Sequence, residues 1–238
     1  MARSDARIAL FSDVHGNWTA LQEVWTALRA EGGFDAVVCA GDLACFRPHP
    51  EECVQFLREQ GVLCVMGNTD LLLLGEGVPN PEAVARLPFI PEQLAWCRRR
   101  LSEEARTFLQ GLPLTVRFPG AGGGGDLLVC HATPNDPGPV CPPNGSDADW
   151  EAVMGDFDAE ALAFGHVHVP AVRAIRGRVY VNVAHCGLGL PGNVGYTVLT
   201  STRRGWSAER HPVPHDPDAE REYAARIGFP GAGTDTGF

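Results

Sequence analysis

Residues 41–70, GDLACFRPHPEECVQFLREQGVLCVMGNTD, open on Gly-Asp and close on Gly-Asn, each just after a short apolar run. Between them, Glu51–Gln60 carries Val54, Phe56 and Leu57 in a helical pattern, and VLCVMGN (62–68) reads as a buried strand. Working outward, DAVVCAGD (35–42) is another short strand. RIALFSDVHGN (7–17) is a third, running into a polar turn and then a helix with Leu21, Val24, Trp25 and Leu28 on one face. Strand, helix, strand, helix, strand means βαβ units and a largely parallel sheet. In such sheets the carboxyl ends of the strands form the crevice where ligands bind. An acid and an amide at two of those ends are therefore expected to work on something.

The middle of the chain reads as helical, through PEQLAWCRRR (91–100) and SEEARTFLQG (102–111), with Ser102 as an N-cap before an acidic first turn. From Leu114 the texture changes to short strands separated by glycine-rich turns: LTVRF, LLVCHA, ALAFGH, AVRAI, RVYVNVA, YTVLTST and WSAERHPV. A last helix is expected over Pro217–Ile227, with a loose tail over 229–238. No repeat or linker divides the chain, so residues 1–238 read as one domain with two packed sheets. The proline-rich segment TPNDPGPVCPPNGSD (133–147) is a long loop inside it.

A net formal charge of −10 argues against a long nucleic acid as partner, and Arg98-Arg99-Arg100 reads as a solvated helix face. The N-terminal apolar run is too short for a secretion signal, and no stretch approaches the roughly 18 apolar residues of a membrane helix. The eight cysteines form no CxxC pair, and several sit in apolar runs where cysteine acts as a small hydrophobe. A cytoplasmic, reduced protein is expected.

Polar groups follow the ends of the apolar runs in order: Asp13 and His15, Asp42, Asn68, His131, then His166 and His168. All are oxygen or imidazole ligands of the kind that suits divalent manganese, iron or zinc. Singly each is weak, because a Gly-Asp is usually a turn and a lone histidine is usually a surface residue. GHVH (165–168) is stronger, since histidines two apart on an extended segment point the same way. The seven together would serve two metals sharing one carboxylate.

The motifs FSDVHGNWTAL, GDLACFRPHPEEC, VMGNTD, LVCHATP, FGHVHVP and VNVAHCGLGLPG, in this order, resemble those of the calcineurin-like metallophosphoesterases, in their branch of small bacterial and archaeal phosphodiesterases. The resemblance implies a four-layer α/β/β/α sandwich. It implies that Asp13, His15 and His168 hold a first divalent metal, that Asn68, His131 and His166 hold a second, and that Asp42 bridges both. Manganese is the first expectation, with iron, zinc or nickel as alternatives. A hydroxide shared by the metals would attack phosphorus in line, with Asn68 also a catalytic residue. Small phosphate esters or nucleotides are the implied substrates, phosphodiesters before phosphomonoesters, and a homo-oligomer stays open. A protein-binding scaffold, as in the retromer subunit of the same fold, is the alternative of another class; it has no need of all seven ligands.

The chain departs from the family where many relatives have a histidine directly after Gly-Asn: here stands Thr69, which cannot act as an acid near pH 7. Three residues are candidates to compensate. His185 stands in a loop near the metals as a proton donor, while Arg47 and His49 in FRPHP are candidate substrate contacts. Asn17 is expected to cap the first helix and lie close enough to touch substrate, and Asp70 to support its neighbours. His211 and His215 are read as surface residues.

Overall fold

The computed structural model describes residues 5–187 and 194–232. The first sheet holds β1 (Ala6–Phe11), β2 (Ala36–Cys39), β3 (Leu63–Cys64), β9 (Gly195–Thr202) and β10 (Gly205–Pro212), in the order β10-β9-β1-β2-β3. Strands β1, β2 and β3 run parallel, as the alternation of strands and helices requires, and β9 and β10 add antiparallel. The second sheet is β4 (Thr115–Phe118), β5 (Leu127–Cys130), β6 (Ala161–Phe164), β8 (Arg178–Asn182) and β7 (Ala171–Ile175), in that spatial order. Its β5, β6 and β8 are parallel and its two edges antiparallel.

Three apolar interfaces make four layers. Ile8, Leu10, Val38, Val129, Ala163 and Val181 meet between the sheets. Leu21, Val24, Val54, Leu57 and Leu94 bind helices α1 (Trp18–Glu31), α2 (Pro50–Glu59) and α5 (Ile90–Arg100) to the outside of the first sheet. Trp150 and Met154 of α7 (Asp147–Met154) cover Leu162, Phe164 and Tyr180 on the second. This is the expected α/β/β/α sandwich. No helix among the described residues is long and apolar enough to cross a membrane.

The expected caps form: Asn17 accepts from Ala20 N at 3.0 Å, and Ser102 from Ala105 N at 3.1 Å, opening α6 (Glu103–Gln110). Three short helices were not expected: α3 (Asn68–Leu74), α4 (Pro81–Arg86) and α7. Helix α7 did carry a signal, because Ser146 and Asp149 cap each other reciprocally, an S-x-x-D box at the end of the proline-rich loop. The third strand is shorter than expected, since Met66 N turns to Pro113 O after Val65.

The last helix, α8 (Pro217–Arg226), lies where expected, but the tail is not loose from 229. Phe229 is buried edge-on against Trp96 at 4.9 Å, and Gln93 donates to Pro230 O; residues 233–238 lie outside the described part. Nor is the arginine run simply solvated, for Arg98 donates to Leu72 O and Arg100 lies over the Trp96 ring. His211 stacks on Tyr196, and His215 is largely covered beside Glu23, so neither is a plain surface residue.

Candidate metal centre

Strands β1, β2, β5 and β6 end on the same side of the sandwich, and the residues just past them converge. Asp13 Oδ1 lies 3.1 Å from His168 Nε2, which lies 3.3 Å from His15 Nε2. Asp42, His131 and His166 form a second group whose ligand atoms all lie within 4.8 Å of one another, as do those of Asp13, His15 and His168. Asn68, the first residue of α3, joins that second group through Oδ1, 2.9 Å from His131 Nε2.

The groups meet at one atom. Asp42 Oδ2 is 3.6 Å from His15 Nε2 on one side and 3.4 Å from His131 Nε2 on the other. Its Oδ1 is committed elsewhere, accepting from Thr69 N at 2.9 Å. The carboxylate is thus held by one oxygen and presents the other to both groups.

The backbone is bent to achieve this. Asp13, His15, Asp42, His166 and His168 all have φ between 52° and 67°, left-handed values that non-glycine residues rarely adopt. Such strain gathers where surrounding structure overrides local preference. Here neighbouring backbones supply the restraint. Asp13 N bonds Gly41 O and His15 N bonds Asp42 O, tying the β1 turn to the β2 turn, while His166 N donates to Asp13 Oδ2 at 3.0 Å. Gly67 is a glycine because a Cβ there would stand 2.1 Å from Asp42 Oδ1.

Asp70 braces the β2 turn from below. Its carboxylate accepts from Asp42 N, Leu43 N and Gly67 N at 2.9, 2.9 and 3.0 Å. Burial, then the charge of Asp42, push its pKa up to about 7 against the bonds from Leu43 and Gly67. His131 Nδ1 lies 2.7 Å from Ala40 O, a pure acceptor, so Nδ1 carries a proton and Nε2 is the nitrogen that faces the site.

The electrostatics suit cations. Burial opposes the charges of Asp13 and Asp42, but neighbouring histidines, His168 and His131 foremost, outweigh it and hold both carboxyls well below the usual range. Burial pushes His15 down to about 3, while for His131 the Asp42 carboxylate overcomes burial and lifts it to about 9. Meanwhile His15 Nδ1 and His166 Nε2 are buried with no hydrogen-bond partner. Two carboxylates, an amide oxygen and four imidazoles, with orphaned nitrogens among them, fit a pair of divalent ions.

A calcineurin-like phosphoesterase superfamily domain matches residues 7–204. The chain belongs to this superfamily. The metallophosphoesterase from Sphaerobacter thermophilus superposes with a TM-score of 0.71 at 23% identity, over 95% of each chain. The hypothetical protein PH1004 from Pyrococcus horikoshii gives 0.77 at 17%, also over 95% of each, so both share the fold. Among curated sequences, the uncharacterized protein MJ0912 of Methanocaldococcus jannaschii is 26% identical over 202 residues, 79% of this chain and 76% of its own. Family and ligand groups together support divalent metals.

The other expected residues divide. His185 is wholly buried, its ring 5.6 Å from that of His168, and neither ring nitrogen has a partner. Burial, then the His168 charge, push it down to about 4. Arg47 is buried and acts on His15 electrostatically. His49 stands at the N-cap position of α2 without a side-chain cap bond, and its ring stacks on Tyr223 at 4.4 Å between Glu52 and Glu220. These contacts tie its ring to α8 and to Glu52 of α2. Asn17 caps α1, and its amide donates to Gly187 O at 3.2 Å, so its side chain is committed to structure. The remainder of the motif after His185, residues 188–192, lies outside the described part. Two residues were missed. Phe46, with φ 80°, rests its ring 5.5 Å from His15, and nothing in its neighbourhood signals this. Glu220 is buried on α8; its signal is a charge four residues before buried Ala224, on the inward stripe of the helix.

Proposed function

We propose that the chain is a phosphoester hydrolase working with two divalent ions, manganese first, and that phosphodiesters are its preferred substrates. The observation that carries this reading is the single Asp42 oxygen facing both ligand groups. Asp13, His15 and His168 would hold one ion and Asn68, His131 and His166 the other, with Asp42 shared. Ions bound there supply Lewis acidity, lowering the pKa of water and polarising phosphoryl oxygens.

The chain's own residues do the rest. Thr69 N–H and the Asp70 brace keep the Asp42 carboxylate aimed, so no reorganisation is needed as charge develops. Arg47 binds a non-bridging phosphoryl oxygen, and Asn68 orients the reacting phosphate. His185 takes the departing side. A nearby cation would depress an imidazole already held at about 4 still further. It therefore donates a neutral N–H hydrogen bond to the leaving oxygen rather than a full proton. With Thr69 unable to act as an acid, leaving groups that need little protonation are favoured, which points to diesters of acidic alcohols. The eight free, buried cysteines support a reducing, cytoplasmic setting.

The test is a panel of phosphodiesters, cyclic nucleotides and phosphomonoesters, assayed with manganese after metal stripping. Diester turnover exceeding monoester turnover is expected. Turnover confined to monoesters would replace the diesterase reading with a phosphatase, and no turnover with any ester would favour a binding scaffold.

A further inference from the structure

The turn that carries His166 and His168 is gripped by a residue belonging to neither ligand group. Asn182 closes β8, in register with Phe164 of β6 and Ala171 of β7, and is buried. Its Nδ2 donates to Gly165 O at 2.7 Å, while its Oδ1 is buried with no hydrogen-bond partner. A half-satisfied amide at the end of a buried strand carries a desolvation cost that an apolar residue would avoid. The Nδ2 bond is what distinguishes it from such a residue.

Gly165 O and His166 N belong to one peptide unit. Its carbonyl accepts from Asn182 and from Val167 N, both at 2.7 Å, and its N–H donates to Asp13 Oδ2 at 3.0 Å. Ser12 Oγ donates to that same carboxylate oxygen. Asp13 therefore has Oδ2 held and Oδ1 turned to its own group, 3.1 Å from His168 Nε2. Asp42 is handled alike, with Oδ1 held by Thr69 N and Oδ2 facing the ligands. The peptide that holds Asp13 also bears His166, of the other group. It has little room to move: Gly165 N donates to His131 O at 2.8 Å, and a Cβ on Gly165 would stand 2.6 Å from Ser12 Cβ and 2.8 Å from Asp13 Oδ2. His166 and His168 flank it with left-handed φ of 67° and 59°, values that need outside restraint.

We propose that Asn182 is a positioning residue for both ions: by pinning the Gly165–His166 peptide it fixes the Asp13 carboxylate in the first group and aims His166 into the second. This rests on the ligand assignment proposed above. The measurement is calorimetric titration of the metal-free protein with manganese, beside urea unfolding in chelator, for wild type and Asn182→Leu. Leucine is close to asparagine in shape and removes both the donor and the unpartnered oxygen, while Gly165 O keeps the Val167 N–H. The urea midpoint should therefore stay or rise. Manganese binding should weaken about 10–100-fold at each site, the scale for groups that orient a metal ligand. Unchanged affinity in a folded Asn182→Leu, or a loss at one site alone, would overturn the proposal. So would a midpoint that falls in step with affinity, since that marks a merely structural amide. Should leucine fail to fold there, Asn182→Val, smaller and suited to a strand, is held to the same two expectations. A wild type that binds fewer than two manganese ions would remove the ligand assignment and this proposal with it. Two ions bound, both weakened in Asn182→Leu, with no ester hydrolysed, would remove the hydrolase reading and leave this one standing. Ester hydrolysis by the wild type with unchanged manganese binding in Asn182→Leu would do the reverse.

Discussion

Asp42 concentrates the chemistry of the site in one oxygen, because Thr69 N–H occupies Oδ1 and leaves Oδ2 to face His15 and His131. Asp42→Asn keeps the shape and removes the charge. Metal content should fall at both sites and turnover by about 10²–10³-fold, the scale seen for loss of one preorganised electrostatic group. Elemental analysis finding two full equivalents with wild-type turnover would remove Asp42 from the bridge. Thr69 bears on the leaving group. Aryl diesters should outpace alkyl diesters steeply, and Thr69→His should leave that slope unchanged, since three backbone N–H bonds hold the Asp70 carboxylate on the β2 turn. A slope flattened by Thr69→His would show that the brace can serve both. For His185 the sign is set by burial. The folded chain holds it neutral down to about 4, while the unfolded chain takes up a proton from its usual 6.5. In chelator, wild-type stability relative to His185→Phe should therefore drop as pH falls from 6.5 to 4, by roughly 2–3 kcal/mol. Urea unfolding at both ends of that window measures it, and a flat difference would mean the ring is already solvated.

At the scale of elements, the site is a set of strand-end turns tied to one another rather than to their own strands. The turn after β1 bonds the turn after β2, the start of α3 bonds Asp42, and the turn after β6 bonds Asp13. Such ties leave no room at the crossing points. Gly67→Ala would force a Cβ against both Oδ1 and N of Asp42. It should destabilise the fold by about 1–3 kcal/mol, as overpacking does, and lower metal affinity together with stability. Retained metal affinity in a folded Gly67→Ala would mean that the α3 start and the β2 turn can separate without loss.

At the scale of the molecule, three apolar interfaces hold the layers without help from the ligand groups. Removing metal should then abolish turnover while leaving the far-ultraviolet circular dichroism spectrum in place, with manganese restoring activity. Unfolding in chelator would make the ions structural. Bound ions should still raise the melting temperature, because they bind only the folded chain.

The amino-acid sequence by itself determined the parallel βαβ start, the two-sheet sandwich, the helix caps at Asn17 and Ser102, and which seven polar residues stand at strand ends. These features are local: apolar runs and turn residues are read within a few positions of one another. Only the tertiary structure decided what spans the chain. His168 meets Asp13 across 155 residues and His49 meets Glu220 across the first and last thirds, distances set by sheet register and helix docking. The same packing stacked His49 on Tyr223, buried the expected loose end at Phe229, and hid a carboxylate on a helix whose composition suggests a solvated one. It also imposed left-handed backbone on five ligand-type residues that would not choose it alone. Local propensity names the residues that can bind; the close approach of separate turns, restrained by hydrogen bonds between them, decides where each one points.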